Sequence, residues 1–129
     1  MSDSIESVQL APHGVVTDIY PAEGNEAGKI DLLHDKDRGE ISCYARDNHT
    51  VITQGPFELK QGDYGIAVRN PVYLNDENGQ EYFWGFTIVI LRVPEIFSDS
   101  ISALSNFGYE YKLSKTDTPW SDTYEVVCQ

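Results

Sequence analysis

At 129 residues the chain is long enough to bury the core of one domain. Its formal net charge of -12 argues against nucleic acid as a partner, because phosphate binding needs clustered Lys and Arg. No run reaches the roughly 20 apolar residues of a membrane span, and the acidic, polar N-terminus lacks signal-peptide features; because the chain reads as a piece of a larger protein, neither absence settles its location.

In chain order, Ser7–Leu10 and Gly14–Tyr20 are predicted strands joined by a turn at Ala11–Gly14, with Pro12 fixing φ. Val15, Thr17 and Ile19 alternate against Val16, Asp18 and Tyr20, so one face can be buried. From Gly24 to Leu33 the apolar residues Ala27, Ile30, Leu32 and Leu33 recur at helical spacing. A second helix is expected from Asp35, with Ile41, Tyr44 and Ala45 on one side, closing at Asp47-Asn48-His49. Val51–Thr53 begins the main sheet.

The stretch from Gln54 to Val93 organises the rest. Its extended segments are Phe57–Lys60 continuing into Ile66–Arg69, then Val72–Leu74, then Glu81–Val93, with Pro56 and Pro71 placed at strand starts or edges. Asp76-Glu77-Asn78-Gly79 is a hairpin turn, because Asn and Gly tolerate positive φ. Tyr82–Leu91 is the most hydrophobic run and, rich in aromatic and β-branched residues, a central strand bent at Gly85. Alternation puts Tyr82, Trp84 and Phe86 on one face and Phe83 on the other. Pro94 then opens a helix whose stripe Phe97, Ile101, Leu104 and Phe107 is expected to pack on the sheet, with Gly108 as its stop. Tyr109–Leu113 and Tyr124–Cys128 form a last hairpin. The result is α+β: about five antiparallel strands flanked by helices.

Few catalytic or metal signatures survive inspection. Asp35–Gly39 begins like a calcium loop, but its Gly falls one place early and Arg46 stands where the closing Glu belongs. His13, His34 and His49 share no ligand spacing, so no metal or other cofactor is assigned. No nucleophile elbow or phosphate loop is present, and carboxylate pairs are expected by chance in so acidic a chain. Cys43 and Cys128 could form one disulfide or stay free; two are too few for a framework, which favours free thiols.

A series of short motifs resembles bacterial CHASE domains, extracytoplasmic sensor domains of histidine kinases and diguanylate cyclases. They run from Gly14-Val15-Val16 and Tyr20-Pro21 through Glu23–Ala27, Asp31–Leu33, Asp35–Arg38 and Ala45–Asp47. Gly55–Leu59, Gln61-Gly62, Gly65, Arg69, Pro71–Tyr73 and Phe83–Phe86 follow in order, so the resemblance covers about residues 8 to 113. It implies a PAS-like sheet that holds a small organic ligand between sheet and helices. It also implies a homodimer tethered to the periplasmic side of the inner membrane, with a cytoplasmic output domain. Pocket positions of the related plant cytokinin receptors fall here on Asp37, Gln54 and Arg69. Val68 departs from the Gly that many members have before the Arg.

Arg69, a guanidinium in an apolar strand run, is the sharpest candidate. Either it pairs with Asp37 or Glu58 or faces solvent, or it grips a ligand carboxylate or carbonyl through its planar fork. Trp84, Phe86 and Phe57 are expected to serve as both core and pocket wall, and Tyr20 and Tyr64 could offer hydroxyls. The expected function is small-molecule sensing without catalysis. The alternatives are a dimerisation module with a self-filled pocket and a small acidic hydrolase.

Overall fold

The computed structural model describes residues 4–21, 30–59, 64–93, 95–110, 112–116, 118–121 and 124–128. Its strands are Ile5–Pro12 (β1), Asp18–Tyr20 (β2), Ile52–Glu58 (β3), Tyr64–Asn75 (β4) and Glu81–Val93 (β5). They form one sheet in the order β2-β1-β5-β4-β3. Gly39–Asn48 is α1, and Ser98–Asn106, after a 3-10 turn at Glu95–Phe97, is α2. Leu113–Thr116 (β6) and Tyr124–Cys128 (β7) pair as a separate antiparallel ribbon. The fold is α+β with the five-stranded antiparallel, PAS-like sheet expected from the sequence.

The described residues of 7–53 and 68–89 form one compact unit, and those of 1–6, 54–67 and 90–129 form another. The first holds α1 and a core of Ala11, Val16, Leu32, Ile41, Ala45, Ile52, Phe86 and Ile88. The second holds α2 and the smaller buried set Ile66, Ala67, Ile90 and Val93.

Local chemistry accounts for the β4–β5 hairpin. The Asp76 carboxylate accepts from the Asn78 and Gln80 N–H groups, both at 2.9 Å, and Gly79 takes φ 78. At Gly85 a Cβ would lie 2.2 Å from the Ala11 carbonyl oxygen, so only glycine lets β1 approach β5 this closely.

Several expectations need correction. The helix expected over Gly24–Leu33 falls mostly outside the described residues, and its end is not helical. There Val16 N–H donates to the Ile30 carbonyl at 2.9 Å and Leu32 N–H to the Gly14 carbonyl at 2.7 Å, so the backbone bonds across the fold rather than along the chain. Strand β4 does not break at Pro71 but runs through it, since proline's fixed φ suits extended backbone and the ring is buried. Alternation fails at the Gly85 bend: Phe83 and Phe86 pack edge to face with centroids 5.1 Å apart, so Phe83 joins Phe86 instead of opposing it.

The apolar stripe after Pro94 forms its helix but does not bury it. No residue of α2 is buried, and Phe107 is 80% exposed. What α2 has is a self-contained end: Gly108 at φ 77 donates to the Ser105 carbonyl (3.0 Å) and Tyr109 to the Leu104 carbonyl (3.0 Å), the paired bonds of a Schellman motif. Tyr109 therefore belongs to this cap, and the strand expected over Tyr109–Leu113 starts only at Leu113.

Candidate functional site

The site lies in the unit built around α1. The Asp35 carboxylate accepts from the Asp37 and Arg38 N–H groups, both at 3.0 Å, and its second oxygen meets Arg38 Nη1 at 3.3 Å. This turn delays the helix to Gly39, four residues after the expected start, because Asp35 bonds its neighbours' N–H groups and leads a turn instead of continuing a helix. Burial works against ionisation of Asp35, but the two N–H groups and the Arg38 charge outweigh it and hold the carboxyl below its ordinary range.

Helix α1 runs along β4. At its start, Arg38 and Asp35 are the charges felt by Arg69. At its end, the Tyr73 hydroxyl donates to the Arg46 carbonyl, and His49 stacks on the Tyr73 ring with centroids 4.0 Å apart. The spacing agrees. Eight helical residues rise about 12 Å, and the four strand residues from Arg69 to Tyr73 span about 13 Å. Arg38, Ser42, Ala45 and His49 share the stripe of α1 turned to β4, at intervals of four, three and four residues. Beneath them lie Arg69, Pro71 and Tyr73, and Tyr73 leads through Phe83 to Phe86 by two edge-to-face contacts.

Arg69 is 3% exposed, so it does not face solvent from the outer side of the sheet. Burial, then the nearby Arg38 charge, lowers its pKa to about 10, with Asp35 opposing them. Holding the cation there costs the fold on the order of 3 kcal/mol. The Ser42 hydroxyl, 0% exposed, has no hydrogen-bond partner among the described residues.

The candidates read from the sequence divide between the two units. Arg69, Asp37, Trp84, Phe86 and Tyr20 lie in the unit with α1, whereas Gln54, Phe57 and Tyr64 lie in the other. Phe86 is fully buried, and Trp84 is half-buried with its carbonyl accepting from His13 N–H at 2.8 Å. Asp37, Tyr20, Phe57 and Tyr64 are exposed, and Gln54 is half-buried. Sequence reasoning passed over Arg38, Ser42 and Tyr73. The Asp35/Arg38 spacing was the available signal for the first; nothing local marks the other two. Cys43 is a free thiol whose Sγ donates to the Leu33 carbonyl at 3.6 Å. Among the described residues no cluster of three His, Cys, Asp or Glu could hold a metal, and no helix is long and apolar enough to cross a membrane.

An antiparallel sheet in the order 2-1-5-4-3, with a helix laid over a buried arginine, defines a PAS-like α+β module of the sensor class. The match to the CHASE domain covers residues 4–123, and the chain belongs to that family of extracytoplasmic sensor domains. A solved structure, an extracellular ligand binding receptor from Desulfohalobium retbaense DSM5692, is similar at a TM-score of 0.50 and 18% identity. The likeness covers 78% of this chain and 17% of that one, and at such identity it speaks for the fold alone. No curated protein matches the chain significantly.

Proposed function

We propose that this chain is the small-molecule-sensing domain of a bacterial transmembrane signalling protein, a histidine kinase or diguanylate cyclase, placed on the periplasmic side of the inner membrane. Ligand binds between α1 and the strands beneath it, with Arg69 as the principal polar contact, Asp37 near the entrance and Trp84 and Phe86 as wall. Gln54, Phe57, Tyr20 and Tyr64 are assigned to the pocket by family position or residue type alone. The observation that carries this reading is a costly cation kept under the first turn of α1. A core seeking stability alone does better with an apolar residue there. Binding signals only as far as the ligand prefers one conformation over another, and about 1.4 kcal/mol of preference shifts populations tenfold. The Arg92–Glu6 ion pair at 2.6 Å ties the start of β1 to the end of β5 and offers a route to the flanking segments and a cytoplasmic output domain.

Thermal melting against amino acids, carboxylates, purines and peptides tests the reading. Specific stabilisation that is lost in Arg69→Met, with the circular dichroism spectrum unchanged, is the expected outcome. Equal stabilisation of wild type and variant rejects the arginine's role. A second reading, a homodimerisation module without ligand, is favoured by the exposed Phe107, Tyr109 and Tyr124. Sedimentation showing a dimer that Phe107→Ser dissociates, with no ligand shift in any melt, would select it.

A further inference from the structure

We propose that the first turn of α1 and the middle of β4 form a site for an organic monocarboxylate, gripped by the guanidinium groups of Arg69 and Arg38 with the Ser42 hydroxyl as a third polar contact. This inference rests on the sensor reading above and names the class of its ligand.

The argument is one of charge and placement. Arg69 is buried beneath the start of α1, where the unsatisfied N–H groups of a helix carry partial positive charge and disfavour a cation. Arg38 brings a second guanidinium to the same place. Among the described residues, the carboxylate acting on Arg69 is Asp35, and both of its oxygens are committed to its own turn: one to the Asp37 and Arg38 N–H groups, the other to Arg38 Nη1. Asp37 is exposed. Two cations and a helix start thus face one occupied carboxylate, in a chain whose net charge is -12.

The independent observation is Ser42. Its hydroxyl is fully buried and has no hydrogen-bond partner among the described residues. It lies one turn beyond Arg38 on the α1 stripe that faces Arg69 and Tyr73. A buried hydroxyl left unsatisfied is costly, and here it is aimed at the surface where the guanidinium groups converge. Access comes at Arg38, whose side chain is 40% exposed. The surplus of one positive charge over Asp35 suits a single planar carboxylate, which guanidinium recognises bidentately. A phosphate dianion would leave the buried site net negative beside Asp35.

The test uses the 129-residue chain at pH 7 and fixed ionic strength. Pyruvate, benzoate and glycolate are each compared with the corresponding amide, and inorganic phosphate is run beside them, by thermal melting and calorimetric titration. At least one acid is expected to raise Tm while its amide does not. Arg38→Gln, a change at a half-exposed residue, should weaken that acid about tenfold or more, and Ser42→Ala about fivefold. Phosphate that stabilises as well as the acids, amides that match their acids, or an Arg38→Gln variant with unchanged affinity each overturns the carboxylate assignment. Binding of an uncharged compound from the wider panel, with all three acids silent, overturns it and leaves the sensor reading standing. Silence from every compound, charged or neutral, overturns both.

Discussion

The two helices of this domain are of similar length and each shows an apolar face in the sequence, yet they end up in different physical situations. Helix α1 buries Gly39, Ile41, Ser42 and Ala45, and α2 buries nothing. Their C-termini differ in the same sense. Helix α2 closes on its own backbone through Gly108, whereas α1 ends at His49, a non-glycine residue at φ 50. Thr50 N–H reaches the Ala45 carbonyl at 3.2 Å, and the Arg46 carbonyl is taken by the Tyr73 hydroxyl from β4. One helix is therefore specified by local chemistry and the other is locked by tertiary contacts. The polar side chains worth a functional reading, Arg38, Ser42 and Arg69, gather at the locked one.

The largest effect expected from this contrast compares two phenylalanines. Phe86→Ala should cost about 3–5 kcal/mol in equilibrium denaturation, and Phe107→Ala less than about 0.5 kcal/mol. Equal losses would mean that α2 is covered in solution and would remove the contrast. Next comes Arg69→Met, which should raise the stability of the ligand-free protein by about 1 kcal/mol or more, because Asp35 keeps its bonds to Arg38 and its own turn while a desolvated charge is removed. A loss of stability in that variant would show the arginine to be a structural element.

Smaller again are the caps. Tyr73→Phe strips a donor from the α1 terminus and should cost about 1–2 kcal/mol. Gly108→Ala, which forces a side chain into left-handed backbone, should cost about 1 kcal/mol and leave the α1 unit untouched by hydrogen exchange. The smallest effect is the acid limb of stability assigned to Asp35. Its folded carboxyl is held low, so its contribution is present above the ordinary carboxylate range and fades as pH falls through the depressed folded value. Asp35→Asn should flatten that part of the pH–stability curve, and an unchanged curve would remove the turn from the account of α1.

What could be read before the fold was known follows from range of interaction. Strand β5 has the expected limits, Glu81 and Val93, because a long β-branched and aromatic run between a strong turn and a proline has few other options. The Asp76–Gly79 turn follows from side chains that bond their own backbone, and Gly108 ends α2 as the glycine signal implied. Arg69 stood out because a charge in an apolar run must find compensation somewhere.

The sequence by itself thus determined the α+β class, the β4–β5 hairpin and the arginine as the residue to explain, all from patterns a few residues long. Tertiary structure alone decided that α1 is covered and α2 is not, that the Gly85 bend turns Phe83 toward Phe86, and that Arg38 and Ser42 meet Arg69 across the sheet. The physical reason is that period and turn chemistry define an element's own shape. Its burial and charge environment depend on surfaces supplied by residues far away in the chain.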